Sequence, residues 1–145
     1  MASILKVDEM QGVTSAGDIT ITSEGGSATQ SLQQGLAKTW VVYEFSSGIT
    51  TFDSFSVSSM TDAGTGLATV NFTNSYGNAH YAMAGCSSGG TGNSLFNIIQ
   101  NSGSSKTTSA CPMLSKLMTD ASTNGAPHDI TGGDGEHLVF HGDLA

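Results

Sequence analysis

The run Gly85-Cys86-Ser87-Ser88-Gly89 matches Gly-x-Ser-x-Gly, the spacing of a nucleophile elbow. That device needs a serine on a sharp strand-to-helix bend, beside backbone donors for an oxyanion. A strand-like stretch precedes Ser87, but a Ser/Gly/Thr loop follows where a helix is required. In a chain with 19 Gly such a match arises by chance. A small hydrolase using Ser87 or the acidic loop is therefore the weaker alternative, and no catalytic residue is expected. His137 and His141 lie four apart on a strand-like run, hence on one face. They are about 13 Å apart, too far to share one ion, and only copies brought around an axis would bring like imidazoles together. Asp129, Asp134 and Glu136 alternate with Gly132, Gly133 and Gly135. The composition suits a hard cation, but the spacing fits no EF-hand, so a solvated acidic loop is expected. No metal or cofactor is expected. Trp40 or Tyr76 would stack on a sugar if the chain were a carbohydrate-binding module. Trp40 sits in an apolar strand, however, so core packing is the expectation.

The elements that would position these residues are strands. Composition argues against helix: much Gly, Ser and Thr, and only 11% charged residues. Such residues between short apolar runs suit turn-rich antiparallel sheets. The clearest pattern is Trp40 to Phe45, where Val41, Tyr43 and Phe45 share a face. Thr51 to Thr73 reads as one hairpin, with Phe55 and Val57 facing one way, Ala68, Val70 and Phe72 likewise, and a turn at Thr61–Gly66. Ala79 to Cys86 reads as a strand with Tyr81 and Met83 on one face. The small residues Ala82, Ala84 and Cys86 on the other face suggest close approach of another layer or subunit. Leu95–Gln100 is a buried strand, and Lys106–Ala110 is expected to pair back. Pro112–Met118 fits a helical face or a strand; strand is chosen for its all-β surroundings. Thr119–Glu136 is a long loop, and His137–His141 closes the domain. Seven or eight strands with turns between them predict an antiparallel β-sandwich, jelly-roll-like, over residues 37–145. Parallel α/β is excluded, because no crossover helices are available.

Residues 1–36 read as a stem. Ser3–Val7 and Gly17–Ser23 are short strand signals, and neither can bury a face alone. Ser27 and Gln30 fit a capping box, opening a helix of about two turns to Gln34, with Gly35 at its C-terminal end. Ala28, Leu32 and Leu36 would form its apolar stripe. Ile4, Leu5, Val7, Ile19, Ile21, Leu32 and Leu36 are the candidate oligomerisation or anchoring residues.

Lys38-Thr39-Trp40-Val41, then Asp53-Ser54-Phe55-Ser56-Val57-Ser58-Ser59, the turn Gly64-Thr65-Gly66 and Val70-Asn71-Phe72 follow in order. This arrangement resembles a family of virion proteins of marine tailed phages, usually described as tail-fibre or structural proteins. Ile4-Leu5-Lys6-Val7 and the closing Leu138-Val139-Phe140-His141-Gly142-Asp143 also resemble that family's two ends. The resemblance implies a non-enzymatic virion protein, a tail fibre or host-recognition protein assembled as a homotrimer, made in the host cytoplasm. It implies contacts with other virion proteins and with a host surface receptor. Rigid β-scaffolds commonly carry recognition on loops, which places host contact at Ser87–Ser94 and Thr119–Glu136. The residues concerned are Ser87, Ser88, Thr91, Asn93, Asn124, Asp129 and Asp134. A capsid decoration protein or head fibre is the alternative within a virion.

Net charge is −8, with four Lys, no Arg and twelve carboxylates in 145 residues. Phosphate neutralisation needs Lys or Arg, so nucleic acid is not an expected partner. No apolar run approaches the roughly 18 residues of a membrane span, and no membrane insertion is expected. The first residues carry no basic stretch followed by an apolar core, so no secretory signal is read there. Cys86 and Cys111 are expected to be small buried hydrophobes rather than a disulfide.

Overall fold

The computed structural model describes residues 5–13, 19–23, 25–87, 95–118, 125–131 and 134–145. The chain divides into two units, Met1–Leu36 and Ala37–Ala145.

In the first unit, β1 (Thr20–Thr22) and β2 (Thr29–Ser31) form an antiparallel pair in which Ile21 faces Gln30. One helical turn, α1 (Leu32–Gly35), follows directly. The expected two-turn helix capped by Ser27 is not formed. Thr29–Ser31 is used as a strand instead, and Ser31 caps the turn, its hydroxyl accepting from the Gln34 N–H at 3.4 Å. The reason is local: the Ser23 N–H donates to the Ala28 carbonyl and the Leu32 N–H to the Ile19 carbonyl. Ser23–Ala28 is thereby closed as a turn before a helix can start. Residues 5–7, expected in a strand, have no strand partner among the described residues. None of the described residues of this unit is buried. Leu5 is 80% exposed, and Val7, Met10, Val13, Ile21 and Leu36 are exposed as well.

The second unit is an all-β antiparallel sandwich. One sheet has the order β4-β3-β11-β7, from β3 (Thr39–Phe45), β4 (Ile49–Phe55), β7 (Ala82–Ser87) and β11 (Glu136–His141). The other has the order β10-β9-β6-β5, from β5 (Val57–Gly64), β6 (Leu67–Phe72), β9 (Ala110–Met118) and β10 (Ala126–Pro127). On the far side of β9 lies β8 (Leu95–Gln100). These are nine strands among the described residues, more than the seven or eight expected. The extra ones come from splitting the expected Thr51–Thr73 hairpin and from β10. The all-β antiparallel sandwich and the strand at Pro112–Met118 are as the sequence predicts.

Alternation places the core. Val41, Tyr43 and Phe45 from β3 and Leu138 and Phe140 from β11 face inward. They meet Ala68, Val70 and Phe72 from β6, Cys111 and Met113 from β9, and Ile98 from β8. Phe72 stands edge-on to Tyr76, Tyr81 and Phe140, with ring centroids 4.9, 5.4 and 5.2 Å away. Each such pair adds about 0.5–1.5 kcal/mol beyond area burial. The Lys106 ammonium lies 4.5 Å over the Tyr81 ring and donates to its carbonyl at 2.9 Å. Residues 106–109 are therefore a clamp and a turn, not the expected returning strand. The Thr107 hydroxyl accepts from the Ala110 N–H at 3.0 Å and sets up the start of β9.

The expected single hairpin from Thr51 to Thr73 is two different pairings. Phe55 lies opposite Trp40 in the first sheet, while Val57 lies opposite Phe72 in the second. The chain changes sheets at Ser56, whose φ is +59°. The Ser56 carbonyl accepts from the Thr73 N–H at 3.0 Å, which fixes the crossing. A residue with positive φ breaks the period of two, so the faces of Phe55 and Val57 cannot be read through it.

Gly66, at the tip of the β5–β6 turn, has φ +66°, and a Cβ there would lie 2.5 Å from the His128 nitrogen and 2.7 Å from the Ser115 carbonyl oxygen. Its own carbonyl accepts from the Ser115 N–H at 2.8 Å, and its N–H donates to Asp129 Oδ1 at 2.6 Å. Turn, central strand and the 125–131 segment meet at this glycine. Gly66→Ala should cost about 3 kcal/mol or more, combining strain with overpacking. Gly25→Ala, with open space around it, should change stability little. Denaturant melts of the two variants check this; equal midpoints would refute it.

Candidate functional site

Two places hold the chain's chemically interesting side chains: the polar interior around Glu136 and the outer face of the β4-β3-β11-β7 sheet.

Glu136 opens β11 opposite Tyr43 and Ser87, and its side chain points into the sandwich with no solvent exposure. Tyr43 and Ser115 are equally enclosed. Neither hydroxyl nor either Glu136 oxygen has a partner at hydrogen-bonding geometry within the protein. The two hydroxyls are still close enough to act on the carboxyl. Burial pushes the Glu136 carboxyl above its ordinary value, and the Asp129 charge adds to the rise; Ser115 and Tyr43 oppose it but do not win. Burial, then the Glu136 charge, pushes the Tyr43 phenol up as well. Glu136 was expected in a solvated acidic loop and is instead part of the core. The period of two running back from Phe140 and Leu138 was the signal that marked it as inward-facing. The other acidic residues also part company. Asp129 is committed to the Gly66 N–H, and Asp134 is exposed. Among the described residues no group of three His, Cys, Asp or Glu could hold a metal.

On the outer face, paired residues form level rows across the sheet, because directly opposed residues of antiparallel strands point the same way. One row is Phe55, Trp40, Val139, Ala84, and the next is Asp53, Val42, His137, Cys86. Phe55 is 55% exposed, Trp40 and Val139 are half-buried, and Ala84 and Cys86 are exposed. The large side chains lie on β4 and β3, the small ones on β7. Between them is a hollow of about 460 Å³ lined by Trp40, Val42, Ala84, Cys86, His137 and Val139. Trp40, expected in the core, faces outward; alternation against Val41 and Tyr43 already required this. Tyr76 is the reverse case: it is fully buried and its hydroxyl donates to the Thr39 hydroxyl at 3.1 Å, out of reach of any sugar. Among the described residues lining the hollow, His137, the Trp40 indole N–H and the Cys86 thiol are the polar groups, so most sugar hydroxyls bound there would lose their water without gaining partners.

The remaining singled-out residues scatter. Ser87 is the last residue of β7, opposite Glu136, and the residues after it, on which a strand-to-helix bend would depend, lie outside the described residues. Gly85 beside it is explained by packing, since a Cβ there would stand 2.5 Å from Leu138 Cδ2. His137 and His141 share the outer face with Val139 between them, as the spacing predicts. Cys86 is exposed and Cys111 buried, and both are free thiols, so only Cys111 is the buried hydrophobe expected. Of the proposed host-contact residues, Ser88, Thr91, Asn93 and Asn124 lie outside the described residues, as does Ile4 among the stem residues. In the first unit, Ile21, Leu32 and Leu36 line a hollow of about 210 Å³, and Ile19 is half-buried.

A raised carboxyl pKa has a definite sign for stability. Glu136 adds no ionisation penalty while it is protonated in both states, below its ordinary value of 4.5. Its contribution is lost as pH rises through its higher folded-state value. The wild type should therefore lose stability as pH climbs from about 4.5, and Glu136→Gln should flatten that part of the profile. Urea midpoints measured across pH 4 to 8 check this; parallel profiles for the two proteins would sink it.

No family model, no curated protein and no solved structure matches this chain.

Proposed function

We propose that this protein is a non-enzymatic structural component of a tailed-phage virion, a short tail-fibre or host-recognition protein assembled as a homotrimer. The observation that carries the assembly part of this reading is the first unit. Its described residues bury nothing, yet it presents Leu5, Val7, Met10, Val13, Ile21 and Leu36 to solvent. A two-stranded pair with a single helical turn is not stable on its own account. A unit this small that exposes so many large apolar side chains has surface for a partner to cover. Copies of the chain, or a neighbouring virion protein, are the partners that would cover them. The virion part rests on the resemblance of residues 36–73 and of both ends. The sandwich then acts as a rigid scaffold that presents Ser87, at the end of β7, and Asp129 and Asp134, ahead of β11, to the host receptor.

Light scattering on the purified full chain should give three times the 14.8 kDa chain mass. An antibody against the chain should label intact particles at the tail. A single-chain mass overturns the homotrimer. Labelling of the head places the protein there instead, and unlabelled particles overturn the virion assignment.

A further inference from the structure

Four elements converge on the Glu136 carboxyl. Glu136 itself opens β11, the Tyr43 hydroxyl comes from β3 and the Ser115 hydroxyl from β9, and all three residues are enclosed. The fourth element is residues 125–131, which run past the same strands as a strap. The His128 N–H donates to the Ser115 carbonyl at 3.0 Å, the Phe45 N–H to the Ile130 carbonyl at 3.0 Å, and the Gly66 N–H to Asp129 Oδ1 at 2.6 Å. The first of these bonds falls on Ser115 itself and the second lies two residues from Tyr43, so the strap is tied to the strands that supply the hydroxyls. Its ladder with β9 involves only Ala126 and Pro127, and proline has no N–H to give. Glu136, by contrast, belongs to a central strand paired on both sides. Of the four elements around this carboxyl, the strap is the most weakly held.

We propose that residues 125–131 form a strap held closed by the proton on Glu136: when the carboxyl gives that proton to water, the strap lifts from β3 and β9 while the two sheets stay packed. A neutral carboxyl costs far less to enclose than a charged one. A carboxylate there needs donors and water. The side chains that act on it are Tyr43 from β3, Ser115 from β9 and Asp129 from the strap, and Ser87 lies opposite on β7. None of these is a cation. Asp129 carries the same sign, so repulsion falls between the carboxylate and the strap itself. Lifting the strap relieves both costs, because water reaches Glu136 and Asp129 leaves the Gly66 N–H for solvent. Burial and the Asp129 charge hold the Glu136 carboxyl above its ordinary value, which sets the direction: closed in acid, opening as pH rises. Lifting also uncovers Ile130, fully buried in the closed form. This end of the sandwich therefore gains apolar surface as the medium turns from acid toward neutral and alkaline. The device lies within one chain and works whether or not copies assemble.

Amide hydrogen exchange on the full chain, followed residue by residue by NMR and divided by the intrinsic rate at each pH, tests the strap. The reporters are the amides of Gly66, Phe45 and His128, whose bonds break when it lifts. The references are Lys38 and Phe72, whose N–H groups donate to the Phe140 and Ser109 carbonyls at the other ends of β11 and β6. At pH 7 the reporters should be at least about tenfold less protected than the references, the mark of an opening short of unfolding. Their protection should fall severalfold from pH 4 to pH 7 in the wild type and stay level in Glu136→Gln, which keeps the shape and cannot ionise. Asp129→Asn, which keeps an acceptor for the Gly66 N–H and removes the like charge, should shrink the fall. Reporters and references that exchange alike show that the chain opens only by unfolding, and overturn the strap from the wild type alone, even if neither variant folds. A fall that persists in Glu136→Gln, or no fall in the wild type, overturns the role of the proton.

Discussion

The constraint on which the second unit depends is the period of two in β3 and β11, adjacent strands with the core on one side. Once Val41, Tyr43 and Phe45 are committed inward, Trp40 and Val42 must point out. Once Leu138 and Phe140 are committed inward, Glu136 is carried in with them and His137, Val139 and His141 are carried out. One geometric rule thus produces both unusual features of the sheet: a carboxyl without a partner inside and an aromatic ridge without cover outside. A register slip of a single residue would exchange them. It would bring the outward imidazole of His137 into the core and expel Tyr43 or Phe140. Burial of several large aromatics outweighs the cost of one enclosed carboxyl, about 1–3 kcal/mol for an unsatisfied polar group, so the observed register wins.

Much of this was legible in the sequence, because alternation over five or six residues is a strong local signal. The β-sandwich, the core residues of β3 and β6, the small-residue face of β7 and the strand at Pro112–Met118 all followed from it. What was not legible depends on partners distant in the chain. Ser56 takes a positive φ because its carbonyl is held by Thr73; nothing at residues 51–57 announces that β4 and β5 belong to different sheets. Ser27–Gln30 carries a capping-box pattern, but pairing with Thr20–Thr22 takes Thr29 and Gln30 of that run, together with Ser31, into a strand first. Glu136 and Trp40 were misplaced for another reason. Their side-chain types suggested loop and core, and type was allowed to outrank a period that already gave the right face.

Interior and exterior of the sheet share their supports. Glu136 and His137 are consecutive on β11, and Tyr43 and Val42 are consecutive on β3. A contact on the outer face therefore bears on the same two strands that enclose the polar interior.

The position of β11 has a consequence in time. It is a central strand, paired on one side with β3 and on the other with β7, yet it comes after both in sequence, near the far end of residues 37–145. During synthesis β3 can pair with β4 early, but its other edge stays open until β11 has been made. Through that interval an unpaired edge carrying Tyr43 and Phe45 is a template for other nascent chains. Neighbouring ribosomes on one message hold copies of the chain close together while those edges are open. Ribosome spacing on the message thus bears on how much of the product ends as sandwich and how much as aggregate.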